Sequence, residues 1–136
     1  TSDQIISTTD IFATCSEIIG VPLPDNAGED SVSFLDCLFG KQVGPFREAS
    51  VPPSGKKAFA IRKGKSKLIV HGDNERELFD LNLDLAETNN IIRTHPQVAA
   101  ELASLLQSYL DRGRSTPGKA QPLEYKISLD EIRFKK

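Results

Sequence analysis

Ile11, Phe12, Cys15, Ile18 and Ile19 recur at the spacing that lines up side chains on one stripe of a helix, while Thr14, Ser16 and Glu17 face away. Thr8, Thr9 and Asp10 offer N-cap oxygens, and Gly20 followed by Pro22 stops the run, so the pattern predicts a helix over residues 9–19. Its apolar stripe needs a cover, and Cys15 on that stripe reads as core packing. Val21–Asp30, with two prolines, an Asn and a Gly, reads as a loop. A short helix from Val32 to Phe39 is expected next, ending at Gly40.

The rhythm then shortens to two. Residues 41–56 are broken by glycines and prolines, and Arg47–Val51 within them can form at best an edge strand. Lys57–Lys63 alternates with Phe59 and Ile61 on one face, and Lys67–His71 returns after a tight turn at Gly64 and Lys65 with Leu68 and Val70 on one face. Glu77–Leu81 is a third strand after a turn at Gly72, Asp73 and Asn74, which completes an antiparallel meander. Val98, Leu102, Leu105, Leu106, Tyr109 and Leu110 form a continuous helical stripe, opened by Thr94 and Pro96 and closed by Gly113. That helix is expected to lie on the meander. Arg114–Pro122 reads as a linker, and Leu123, Tyr125, Ile127 and Leu129 alternate weakly, as an added edge strand or a tail.

Charge and cysteine use narrow the class. Charged residues make up 26% of the 136 residues, yet the net charge is only −2, which gives no field that would gather nucleic acid or acidic lipid. No apolar run approaches the roughly 20 residues that span a bilayer, so neither nucleic-acid nor membrane partners are expected. The chain enters its first helix within a few residues, with no Met and no leader, as a segment cut from a longer protein would. Cys15 and Cys37 are the only cysteines and lack the paired spacing of a redox or zinc motif, so they leave the compartment open.

Candidate chemistry is sparse. His71 and His95 are the only histidines, and neither has a cysteine or paired carboxylate at ligand spacing. No serine lies in a Gly-x-Ser-x-Gly elbow, which argues against a self-contained hydrolase. Lys56, Lys57, Arg62, Lys63, Lys65 and Lys67 surround the hairpin, either as a patch for an anionic ligand or as charge that blocks sheet-to-sheet pairing. Asp84, Glu87 and Asn90 all offer oxygens but lack the calcium-loop pattern, and a turn held by side chain to backbone hydrogen bonds is the simpler reading.

Taken in order, these pieces resemble a family. Ser7-Thr8-Thr9-Asp10-Ile11-Phe12-Ala13-Thr14, Gly20-Val21-Pro22-Leu23-Pro24 and Asp30-Ser31-Val32-Ser33-Phe34-Leu35 are similar to the segment of type I sulfatases that follows their catalytic core. Phe59-Ala60-Ile61-Arg62-Lys63-Gly64-Lys65 with Lys67-Leu68-Ile69 resembles the family's strand pair, and Glu77-Leu78-Phe79-Asp80-Leu81 with Asp84, Glu87 and Asn90 its following turn. His95-Pro96, the long helix and Gly113-Arg114-Ser115-Thr116-Pro117-Gly118 complete the order over residues 7–118.

The resemblance implies the C-terminal subdomain of an arylsulfatase-like sulfuric ester hydrolase. The expected fold is α+β: a small antiparallel sheet of three to four strands with a long C-terminal helix packed on it, preceded by one or two short helices, in a parent of alkaline-phosphatase-like α/β fold. Residues 1–45 would abut the catalytic domain, 46–118 would form the sheet-plus-helix subdomain, and 119–136 would be a tail or added strand. The family's formylglycine nucleophile and its calcium ion would belong to the missing N-terminal catalytic domain, because neither Cys15 nor Cys37 sits in a Cys/Ser-x-Pro/Ala-x-Arg motif. No catalytic residue, metal ligand or cofactor is therefore assigned to this chain. Ser54, Lys56 and Lys57 are the candidates for the rim of a cleft holding a sulfated substrate, although Pro52 and Pro53 stand where many relatives have histidines. The family implies a periplasmic or secreted protein, and the uncovered first helix implies self-association of the chain alone. The alternative is a free-standing binding module that holds a sulfated or carboxylated glycan on the basic hairpin.

Overall fold

The computed structural model describes residues 2–41, 44–54, 58–72, 75–121 and 128–129. The elements are α1 (Asp10–Ile18), α2 (Leu35–Leu38), β1 (Pro53–Ser54), β2 (Ala58–Lys63), β3 (Ser66–His71), β4 (Arg76–Asp80) and α3 (Pro96–Arg112). They fall into two compact units. One holds the residues up to Ser50 together with Arg112–Gln121, and the other holds Val51–Asp111 with Ser128 and Leu129.

The second unit is the α+β body. Its sheet has the order β1-β2-β3-β4, antiparallel throughout. The register sets Ile61 opposite Leu68 and Leu68 opposite Leu78, with Phe59 opposite Val70, so one face carries the apolar set that the alternation predicts. Ile61, Leu68, Val70 and Leu78 are fully withdrawn from solvent. Helix α3 buries Ala99, Leu102, Ala103, Leu106 and Tyr109 within the same unit, and the apolar face of the sheet is where that stripe finds its cover. Ala99 and Ala103 were not part of the expected stripe.

The fourth strand sits later than expected. Arg47–Val51 is not the edge strand; the two residues of β1 pair with β2 at Phe59 and Ala58. Proline is tolerated there because an edge strand has one side free of ladder bonds. The alternation from Leu123 to Ile127 lies outside the described residues, while Leu129 is buried and donates its N–H to Gln107 Oε1 at 2.8 Å.

The apolar stripe of α1 lies opposite its polar side as the spacing predicts, and it is uncovered, as the resemblance implied for the chain without its catalytic domain. Asp10, Thr14 and Ser16 are the buried residues of the helix, whereas Ile11, Phe12, Ile18 and Ile19 lie between 53% and 70% exposed. Cys15 is exposed as well, so it is not a core residue. The cause is a row of polar attachments on the other side of the helix. Thr14 Oγ1 donates to Asp10 O and accepts from Phe34 N–H, Ser31 Oγ accepts from Ala13 N–H, and Ser16 Oγ donates to Val21 O. Those bonds pin the polar side inward, and the apolar side must then face out.

Candidate functional site

The N-terminus of α1 is organised by Asp10 rather than by Thr8 or Thr9. Its carboxylate accepts the Ser7 N–H at 2.7 Å and the Val32 N–H at 3.0 Å, and it forms an ion pair with Arg47. Asp10 is fully buried and the Arg47 side chain nearly so, an arrangement in which removing one partner leaves the other charge uncompensated. Arg47 Nη2 also donates to Asp30 O, and Arg47 Nε is a buried donor with no acceptor among the described residues. The net result is a platform whose inside is polar and whose outside is apolar. Besides α1, it exposes Ile6, Val21, Leu38 and Phe39.

The stretch expected to be a linker after α3 is docked instead. Arg114 and Thr116 are buried, and their side chains reach Asp25 O and Glu29 O. Spacing in the sequence carried no sign of this, since the partners lie 89 and 87 residues apart.

The cleft-rim candidates are only partly described. Ser54 lies in β1, with its backbone opposite Ala58. Lys56 and Lys57 lie outside the described residues. The basic residues that are described turn their charge onto the chain itself. Lys65 Nζ is 2.8 Å from Asp80, Lys67 Nζ meets both Glu87 oxygens at 2.6 and 2.7 Å, and Arg62 Nε donates to Gly64 O. Lys65 holds the Asp80 carboxyl below the usual carboxylate range, chiefly by its hydrogen bond.

The loop after β4 is a turn of the kind the simpler reading expected. The Asp84 carboxylate accepts the N–H groups of Asn89 and Thr88 at 2.8 Å and the Thr88 hydroxyl at 3.1 Å, and the Asn89 N–H leads the causes that lower its pKa. Asn90 Oδ1 accepts from Leu78 and Ile92 N–H, which ties the loop to the edge of β4. Glu87 adopts a φ of 55°, a left-handed conformation unusual for a side chain of its size, and its hold on Lys67 anchors it there. Among the described residues no group of three or more His, Cys, Asp or Glu converges as a metal site, and no helix is long and apolar enough to cross a membrane. His71 Nε2 lies 2.8 Å from Glu77 Oε2 at the end of β3, and His95 Nδ1 meets the Thr94 hydroxyl just before α3.

Comparison with known proteins bears on what this geometry serves. No protein-family profile matches the chain. It is 35% identical over 123 residues to an N-acetylgalactosamine-6-O-sulfatase of Bacteroides thetaiotaomicron, which covers 79% of this chain and 24% of that protein. By sequence the chain is a relative of the sulfatases. The fold agrees, since a solved structure from work on the metabolism of multiple glycosaminoglycans by Bacteroides thetaiotaomicron superposes with a TM-score of 0.63 at 35% identity, over 73% of this chain and 24% of the other. Arylsulfatase K of Rattus norvegicus is 28% identical over 120 residues, 79% of this sulfatase relative and 21% of the rat protein. The chain thus spans between a fifth and a quarter of the length of the curated sulfatases it matches.

Proposed function

We propose that the chain is the non-catalytic C-terminal portion of a sulfatase, and that it completes that enzyme's fold by docking the exposed face of α1 and α2 onto the catalytic domain. The observation that carries this reading is the inverted first unit, where Asp10, Thr14 and Ser16 are buried while Ile11, Phe12, Ile18, Ile19, Leu38 and Phe39 face water. So many large apolar side chains left exposed in one unit are the mark of a surface made to be covered. The length of the sulfatases it matches supplies a cover, because some three quarters of each lies beyond the matched region.

In this reading the formylglycine, the calcium ion and the attack on the sulfate ester belong to the larger catalytic domain. Ser54, Lys56 and Lys57 would contribute to the rim of the cleft and meet the anionic substrate there. The rival, a free-standing glycan module on the basic hairpin, is weakened by the acids that already occupy Lys65 and Lys67.

The test separates the chain from its parent. The chain alone should not hydrolyse an aryl sulfate above the buffer rate, with or without calcium. The intact parent, or the separately produced catalytic portion mixed with this chain, should hydrolyse it. Turnover by the chain alone that survives stringent purification would refute the reading. In the intact enzyme, charge reversal at both Lys56 and Lys57 should raise KM for a sulfated substrate several-fold with little change in folding. An unmoved KM would reduce these lysines to solvated surface.

A further inference from the structure

The large apolar side chains of α1, Ile11, Phe12 and Ile18, are more than half exposed, so polar contacts must do much to hold its platform together. The hydrogen bonds run outward from α1 to the loop at residues 25–31. Thr9 Oγ1 donates to Asp30 O, and Ser31 Oγ donates to Thr9 O while accepting from Ala13 N–H. That loop is in turn gripped by residues that follow α3. Arg114 Nη1 donates to Asp25 O at 3.1 Å, Gln121 Nε2 donates to the same carbonyl at 2.8 Å, Ser115 N–H donates to Asp30 Oδ1, and both the N–H and the hydroxyl of Thr116 donate to Glu29 O.

The gripping segment is itself preformed. Gln121 N–H returns to Arg112 O, and Arg112 Nη2 donates to Thr116 O at 2.7 Å. Inside this turn Arg114 is only 6% exposed, and its donors end on the Thr116 hydroxyl and on the carbonyls of Asp25 and Lys119. Thr116 Oγ1 is the hub, accepting from Arg114 Nε and Nη2 while donating to Glu29 O. A hydroxyl has one donor and two acceptor sites, and all three are used. Gly118 is required beside it. Its φ is 135°, and a Cβ there would stand 2.6 Å from Arg114 Cζ.

We infer that Arg112–Gln121 is a strap that holds the α1 platform closed, so that its release opens residues 9–38 without opening the sheet and α3. Arg114 and Thr116 are its positioning residues and Gly118 is the site that makes room for them. Through the docking reading above, this makes the apolar face of α1 a surface that exists only while the strap is fastened. The inference about the strap stands on the hydrogen bonds of the first unit alone, so its test reads no catalysis.

Local opening is reported by amide hydrogen exchange in the native chain. Thr116→Val keeps the shape of the side chain and removes the hydroxyl hub. Gly118→Ala pushes a methyl into the guanidinium. Each should accelerate exchange at residues 9–38 at least about tenfold while residues 58–71 and 99–109 stay within about twofold of wild type. Unchanged exchange at residues 9–38 in both variants would overturn the strap. So would equal acceleration in both regions, which would mean that the strap supports the whole chain rather than the platform.

Discussion

Leu106→Ala should cost on the order of 2–5 kcal/mol of folding stability, the range for emptying a buried leucine site whose surroundings cannot fully collapse. Leu106 is fully buried at the middle of α3, one turn from Leu102 and from Tyr109, in the unit that also buries Ile61, Leu68 and Leu78. Among the described elements α3 contributes the most residues to the buried apolar set, so the loss falls on the main body of the chain. Urea unfolding followed by circular dichroism would measure it. A midpoint within error of wild type would mean that α3 is not docked on the sheet.

The second large effect concerns association rather than folding. At working concentrations the chain by itself should self-associate through α1, because each apolar side chain contributes roughly 1.5–3 kcal/mol when fully buried and several are stranded in water. Phe12→Lys combined with Ile18→Lys should raise the dissociation constant at least about 100-fold, which corresponds to about 2.7 kcal/mol. Both residues are more than half exposed, so the fold itself should survive the double change. Sedimentation at several concentrations decides the matter. A wild-type chain that is monomeric throughout, with α1 as protected from hydrogen exchange as α3, would count against the docking reading and favour a finished, free-standing module.

Local patterns made the second unit legible. Phe59 and Ile61 alternating against Leu68 and Val70 give both the hairpin and the face it buries, since with a period of two any one-residue slip would turn them to the opposite face. The heart of the α3 stripe, Leu102, Leu106 and Tyr109, was likewise readable from helical spacing. In α1 the same logic found the stripe, and only Cys15 was misjudged, since it read as core packing yet lies exposed. Periodicity reports which side chains share a face, and it is silent about whether the cover belongs to the same stretch of chain. The polar groups were harder still. Asp10 read as a cap, Arg47 as part of a broken edge strand and Arg114 as a linker residue, because their roles depend on partners 37 and 89 residues away that no local rule can supply. Of the cleft-rim candidates, Ser54 was placed on β1, while Lys56 and Lys57 lie outside the described residues.

The first unit is assembled from two stretches of sequence with the second unit's main stretch, Val51–Asp111, between them. During synthesis this imposes a delay. Once Ser50 has been added, the ribosome must add the 61 residues from 51 to 111 (111 − 51 + 1) before it reaches Arg112. At about 5–20 residues per second that interval is roughly 3–12 s. Throughout it, Arg114 and Thr116 do not yet exist, and the loop at residues 25–30 has nothing to grip it. The sheet and α3 are themselves completed only as this interval closes, whereas α1 emerges early with Ile11, Phe12, Ile18 and Ile19 uncovered. The nascent chain therefore passes through a window in which its most adhesive helix is also its least supported, and a holding chaperone that binds short apolar helices would find its target there.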